Sequence, residues 1–526
     1  MVFLRFLAPL LLTAFVCASP SARTNARRGV PKVQVESYEV AHKTTGEPLP
    51  PLDTVYHFDQ LIDHDDPSLG TFQQRYWVAP QYYQPGGPIL LMNGGEGDAT
   101  ELIAYLTNYT ITGWLAEKFN GTVVLIEHRF FGESNPYPNL SAESFRVHTL
   151  QQSIDDYEYF LKNVQLPIPG GDQVGPDKAP WILFGGSYSG ALASYTMYNK
   201  PGLFAAGYAS SGVVEAITDY WQYYEIVRQF MPQNCSADIQ AVIAHVDATL
   251  ESGSEAEIQS LKDTFGLGNV THNVDFAWAL EGVLTLWQNL QLAPGPNDTF
   301  YSFCDALEVK DGEVAGEDGW GLGHALAAWG SYYKDGPFLQ NECDSLGISS
   351  LETCLNSYDP TSDVYTNITV NNWYRSWRWL LCNEIGFWAS GAPENMPTLV
   401  SRLVTPSYFE SQCPYYFPEA FPVPPDTDAR TALTNKRYGG WNVTTERLIF
   451  ANGLRDPWRD TTVAADGSTN LGSDLNPHLL GEGFHASDMS ILEGEANPSV
   501  KEVQLKALQY LSQWLSEWKP SACASA

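Results

Sequence analysis

Apolar runs of strand length that alternate with helical periods predict an α/β fold on a doubly wound, mainly parallel sheet. Pro88-Ile-Leu-Leu-Met92 and Thr122-Val-Val-Leu-Ile126 are almost wholly apolar, as parallel strands covered on both faces must be. Trp181-Ile-Leu-Phe-Gly-Gly-Ser-Tyr-Ser-Gly190 adds a third observation: such a run meets a glycine pair, a serine and then small residues that open a helix. From 215 to 435 the alternation is lost, and after 440 it returns. The chain therefore divides into an α/β domain in two parts (51–214 and 436–526) and an inserted, largely helical cap (215–435).

The N-terminus carries Arg5, an apolar stretch Phe6–Val16 and a small-residue site at Val16-Cys17-Ala18, the grammar of a secretory signal over 1–18. That stretch is too short to span a bilayer, and no later one reaches the roughly 20 apolar residues required. The mature protein is expected to be soluble and exported. Residues 19–50 are polar and contain Arg27-Arg28, so they are either a propeptide cut at the basic pair or a loose arm. Along the first α/β part, residues 151–163 have helical periodicity, Trp181–Phe184 is a strand, a helix follows Ser187, and Ala205–Ala209 is a further strand. In the cap, Asp238–Leu250 and the tryptophan-rich 372–389 are read as helical. Arg447–Ala451 is a strand ending at Asn452-Gly453. The last helix runs over about 498–518 with Leu508, Leu511, Leu515 and Trp518 on one face.

A formal charge of −32 spread along the chain argues against nucleic-acid or anionic-membrane partners and suits acidic surroundings. Removal of the signal leaves seven cysteines, of which six (Cys235, Cys304, Cys343, Cys354, Cys382 and Cys413) fall in the cap region. An oxidising destination favours disulfides there. Connectivity does not follow from sequence; nearness along the chain suggests Cys343–Cys354 and Cys382–Cys413, leaving Cys235–Cys304. No short C-x-x-C pair supports a metal site, and no cofactor is called for. Sequons at Asn108, Asn120, Asn139, Asn234, Asn269, Asn297, Asn367 and Asn442 agree with secretion.

The Gly-Gly-Ser corner matches the nucleophile elbow of an α/β-hydrolase, a strand-to-helix turn so tight that it lifts Ser187 above the strand ends. Its pattern is G-x-S-x-S, with Ser189 where glycine is usual. A serine hydroxyl needs a base and the base an orienting carboxylate, in the chain order Ser, acid, His. Beyond the cap stand only His478 and His485. His485, in the glycine-bearing loop Gly481-Glu-Gly-Phe-His-Ala-Ser-Asp488, is the better base. Asp456, just past the strand ending at Ala451, is the acid, with Asp460 as the fallback. The oxyanion donors are assigned to the backbone N–H of Tyr188 and, in Asn93-Gly-Gly-Glu-Gly-Asp98, of Gly95.

These residues closely resemble serine peptidase family S28, which includes lysosomal Pro-X carboxypeptidase, dipeptidyl peptidase II and fungal secreted acid prolyl peptidases. The resemblance is carried by GGEGD (94–98), Glu127-His-Arg129 with FGES (131–134), GGSYSG (185–190), NGLRDPW (452–458) and Gly483-Phe-His-Ala-Ser-Asp488, so it covers nearly the whole mature chain. It implies hydrolysis on the C-terminal side of proline through Ser187, His485 and Asp456, as a carboxypeptidase or an endopeptidase, usually in acid. Proline-containing peptides or proteins would be the partners, and a vacuolar or lysosome-like compartment is the alternative to the medium. It also implies that Trp458 helps form the proline pocket. Glu127-His128-Arg129 is read as a structural polar network. Departures are Ala486, where the family often has cysteine, and Arg455, a candidate for binding a substrate C-terminal carboxylate. Glu96 is a candidate for holding a free N-terminal amine, which would make a dipeptidyl peptidase. An esterase on the same fold shares the triad. Because a histidine base works only when neutral, Arg455 and Arg459 are candidates for keeping it so in acid.

Overall fold

The computed structural model describes residues 29–295 and 299–520. The signal segment, the basic pair Arg27-Arg28, the sequon at Asn297 and Cys523 lie outside them. In chain order the strands are β1 (Tyr56–Leu61), β2 (Thr71–Ala79), β3 (Ile89–Asn93), β4 (Thr122–Ile126), β5 (Trp181–Gly186), β6 (Ala206–Ser210), β7 (Ile217–Asp219), β8 (Val309–Lys310), β9 (Glu313–Val314), β10 (Gly386–Trp388), β11 (Leu448–Gly453) and β12 (His478–Gly481). Eight of them form one sheet in the order β1-β2-β4-β3-β5-β6-β11-β12. Only β2 runs antiparallel to its neighbours β1 and β4; every other pairing is parallel.

The continuous apolar runs have a direct cause. Leu90, Met92, Val123, Leu125, Ile182 and Phe184 enter one buried cluster, while Ile89, Leu91, Val124, Ile126 and Leu183 enter another. Successive side chains point to opposite faces, and both faces are covered, so no position is left for a polar residue. The helices Leu150–Asn163 and Tyr188–Asn199 fall where helical periods are expected. The chain is an α/β-hydrolase with a cap inserted between β6 and β11.

Three features differ from expectation. The β1–β2 pair is absent from the sequence reading, because its buried positions include glutamines: Gln60 Nε2 donates to Gln74 Oε1 at 2.9 Å, and Gln74 Nε2 to Glu127 O at 2.8 Å. The stretch 372–389 is not one helix. It is helical over Trp373–Leu380, passes through a π turn over Leu381–Ile385 and becomes β10, which pairs with β7. Gly386 makes the break, at φ 68° and with room for no Cβ, since one would lie 2.6 Å from Ile217 O. The final helix, Pro498–Glu517, buries Val503, Ala507, Leu511 and Trp514, so the apolar face is centred one position off the expected row. Leu508 and Leu515 flank that face, and Trp518 is already past the helix.

The helical cap is stapled by Cys235–Cys304, Cys343–Cys354 and Cys382–Cys413. Asn120, Asn269, Asn367 and Asn442 are exposed, and Asn108, Asn139 and Asn234 are partly so. Residues 29–54 do not form a loose arm. They are pinned along the α/β domain: Tyr38 and Val40 pack on its core, and Lys43 Nζ meets Glu117 Oε1 at 2.7 Å. No described helix is long and apolar enough to cross a membrane.

Truncation of Leu183, fully buried on β5, is expected to cost about 2–5 kcal/mol through lost transfer energy and an unfilled cavity. Leu480→Ala, on a side chain 51% exposed at the sheet edge, should shift stability by about 0.5 kcal/mol or less. Urea unfolding of the two variants reads the contrast.

Candidate active site

The elbow at the end of β5 is backbone under strain. Ser187 takes φ 60° and ψ −126°, a region that non-glycine residues occupy only when their surroundings enforce it. The enforcement is steric. A Cβ on Gly185 would lie 1.9 Å from Ser189 O, and one on Gly190 2.7 Å from Ser210 O. The Ser187 N–H donates to Ser210 O at 2.9 Å, which ties the turn to β6. Ser189, the unexpected letter of the pattern, stitches the turn shut: its hydroxyl donates to Gly186 O at 2.7 Å and accepts from Gly186 N–H at 3.0 Å.

Asp456 follows β11 and is wholly buried. Its Oδ1 accepts from Trp458 N–H at 2.8 Å and lies 2.8 Å from His485 Nδ1. A carboxylate at Nδ1 favours the tautomer with the proton there and leaves Nε2 as the acceptor nitrogen. His485 Nε2 has no hydrogen-bond partner among the described residues. The histidine loop is fastened from below. Asp488 accepts from Tyr208 OH at 2.6 Å and Ser210 Oγ at 2.7 Å, and Ala486 N–H donates to Ser211 Oγ at 2.9 Å. Burial pushes the Asp488 carboxyl up to about 6. The other candidates stand elsewhere: His478 starts β12 with its ring edge-on to Phe450, and Asp460 accepts from Asp466 N–H.

On the oxyanion side, Tyr188 is the first residue of its helix, so its N–H has no intrahelical partner. Gly95 needs correction. Its N–H donates to Asn93 Oδ1 at 3.0 Å, and the glycine serves the turn through φ 66°. The loop it shapes is anchored by groups that motif reading passed over. Arg75 grips Glu127 through Nε (2.8 Å) and a second nitrogen (2.6 Å), and reaches Asp98 at 2.9 Å. Glu127 also accepts from Ala99 N–H at 3.1 Å. Arg129 pairs with buried Asp156 at 2.7 Å, while His128 Nε2 lies 3.1 Å from Tyr188 OH and burial pushes its pKa down to about 4. Glu127-His128-Arg129 is thus a buried frame beneath the site. Arg75 and Asp156 carry no motif, and only their buried pairing reveals them.

A cavity opens on Ser187, with Glu96, Tyr223, Trp377, Phe387 and Trp458 among its walls. The Trp458 indole is locked: it stacks on Tyr220 at 5.3 Å, meets Tyr223 and Phe387 edge-on at 5.3 and 5.4 Å, and donates from Nε1 to Gln288 Oε1 at 2.7 Å. Glu96 lines the same cavity, and burial pushes its carboxyl up to about 7. Arg455 is not among the lining residues; its guanidinium lies 5.6 Å over the Phe484 ring. Arg459 is engaged with Asp466 at 2.7 Å and Leu454 O at 3.0 Å. No described group of His, Cys, Asp and Glu is arranged to hold a metal ion.

Residues 60–506 match the family described as serine carboxypeptidase S28. The serine protease vicPa of Bipolaris victoriae (strain FI3) is 35% identical over 484 residues, covering 88% of each chain. A second serine protease of that organism, vicPb, is 34% identical, over 88% of this chain and 89% of its own. A probable extracellular serine carboxypeptidase of Arthroderma benhamiae is 32% identical over 87% of this chain and 66% of that protein. Among solved structures, the proline iminopeptidase of Mycobacterium smegmatis aligns with 88% of this chain and 99% of its own at a TM-score of 0.34 and 12% identity.

Gly453 ends β11 beneath the histidine loop, where a Cβ would lie 2.3 Å from Phe484 O. Gly453→Ala must push Phe484-His485 away from Asp456. A displacement of this kind is expected to lower kcat/KM by about 100-fold. Steady-state kinetics on a peptide substrate, with circular dichroism confirming the fold, checks it.

Proposed function

The chain belongs to the serine carboxypeptidase S28 family and is a serine-type peptidase, and from that premise we propose that it is a secreted enzyme that cleaves peptides on the carboxyl side of proline through a Ser-His-Asp acyl-enzyme mechanism in acidic surroundings. In this reading His485 Nε2 takes the Ser187 proton as Oγ attacks the prolyl carbonyl. Asp456 stabilises the imidazolium, and Tyr188 N–H donates to the developing oxyanion. The proton passes to the leaving amine, and water then releases the prolyl acid by the same steps in reverse. Such a route serves removal of a C-terminal residue and internal cleavage alike; the name of the Arthroderma relative favours the former.

One observation carries the proline assignment: the immobilised face of Trp458 on the cavity that opens at Ser187. A pyrrolidine ring is compact, apolar and, within a peptide, without an N–H, so a rigid, flat aromatic wall packs against it and leaves no donor unpaired. Trp458→Ala should lower kcat/KM for a prolyl peptide relative to its alanyl twin by about tenfold or more, within the ~1–3 kcal/mol such a pocket discriminates. An unchanged ratio would remove Trp458 from specificity. Asp456→Asn should lower kcat by about a thousandfold or more with little change in KM.

The acidic setting is supported by carboxyl groups that burial keeps protonated. Glu308 and Glu384, like Glu96, are pushed up to about 7. A carboxyl with a raised folded pKa binds its proton more tightly in the fold. Its contribution is complete below the ordinary range and is lost as pH rises towards 7. Buried His128 and His148, held neutral, have the opposite slope, so a variant reads the carboxyl more cleanly than the whole protein does. Glu384 accepts from Leu150 N–H at 2.9 Å, a bond glutamine keeps. Glu384→Gln should therefore gain thermal stability relative to the parent between pH 5 and pH 8. A constant difference across that range would contradict the shift.

A further inference from the structure

Beside the nucleophile lies a notch occupied by the chain's own N-terminal segment. A Cβ built on Gly29 would stand 2.9 Å from Ser187 Cβ, 3.2 Å from Ser187 Oγ and 2.7 Å from Glu96 Oε1. The Gly29 backbone is thus in van der Waals contact with the atoms an acyl group has to reach. Val30 is buried in the core cluster behind it, and a Cβ on Gly186 would meet Val30 Cγ1 at 2.4 Å and Met489 Sδ at 2.6 Å. Tyr105 OH donates to Pro31 O at 2.8 Å. Three successive residues are therefore held, one against the nucleophile, one in an apolar socket and one by a buried hydroxyl.

We propose that this notch is the seat of residues 29–31 and that the arm, while seated, blocks acylation of Ser187. The proposal rests on Ser187 being the nucleophile. Register makes the arm an obstruction rather than a substrate. Pro31, the residue after which a proline-directed enzyme would cut, has its carbonyl oxygen held by Tyr105, while Gly29 occupies the place at Ser187. Glycine at 29 is what allows the fit, because the Ser187 Cβ that any side chain would meet belongs to the rigid elbow. Buried Val30 and Pro31 and the Tyr105 hydrogen bond hold the seat, so a change in the arm at any of these points weakens it. Glu96, which lies between Gly29 and the cavity, comes into contact with substrate once the arm has left.

The experiment uses the secreted full chain, with intact mass selecting molecules that retain residue 29, and measures the rate at which a fluorophosphonate labels Ser187. Gly29→Val places a side chain against Ser187 and Glu96, and Val30→Asp puts a carboxylate in the apolar socket. Each should label about tenfold faster than the parent or more, with circular dichroism confirming the fold. Tyr105→Phe, which removes one hydrogen bond, should give a smaller acceleration of about two- to tenfold. Equal rates in the parent and in both arm variants would overturn the proposal. Absence of labelling in every form would instead remove Ser187 as the nucleophile, and the block with it.

Discussion

The site depends on one strained residue. Ser187 sits at φ 60°, ψ −126°, and nothing local favours that geometry in an L-residue. It persists because the turn is clamped on all sides: glycines at 185 and 190 admit backbone where a methyl group would collide, Ser189 closes the corner, and β6 receives the Ser187 amide. The consequence is positional. The hydroxyl stands clear of the strand ends, at the start of a helix whose first N–H is free to meet an anion.

The end of β6 joins the Ser187 turn to the His485 loop. Ser210 accepts the Ser187 N–H through its carbonyl and donates its hydroxyl to Asp488, while the Ser211 hydroxyl accepts the Ala486 N–H. Two loops far apart in sequence thus hang from two adjacent serines. The oxyanion loop has its own anchor in Arg75, Glu127 and Asp98. The Arg75–Glu127 pair is buried and hydrogen-bonded, so loss of one partner strands a charge inside the protein. Rigidity here is electrostatic as much as steric, and it is the kind that catalysis by pre-placed groups requires.

The sequence discloses the sheet where composition is uniform and the triad where order is diagnostic. β3, β4 and β5 are legible because both faces are apolar, and Ser187, Asp456 and His485 because chain order and glycine context leave few competitors. Legibility fails where polar residues are buried in pairs. Gln60 and Gln74 disguise a strand, and Arg75 and Asp156 carry no sequence signal until their partners are seen. It fails again where one atom's direction matters: the glycine loop at 94–97 is evident, yet the Gly95 amide turns to Asn93. The break at Gly386 is a failure of phase, since a periodic pattern does not say where a turn of π-helix resets it.

The cap brings Tyr223 and Phe387 against Trp458, beside the cavity that opens at Ser187. The account stands or falls on what residue precedes the cut. Incubation of a proline-rich protein with the enzyme in acid, followed by mass-spectrometric identification of every new terminus, reads that directly, with Ser187→Ala as the control. New C-termini should end in proline and vanish in the control. Cleavage that ignores proline, or that survives in the control, would contradict it.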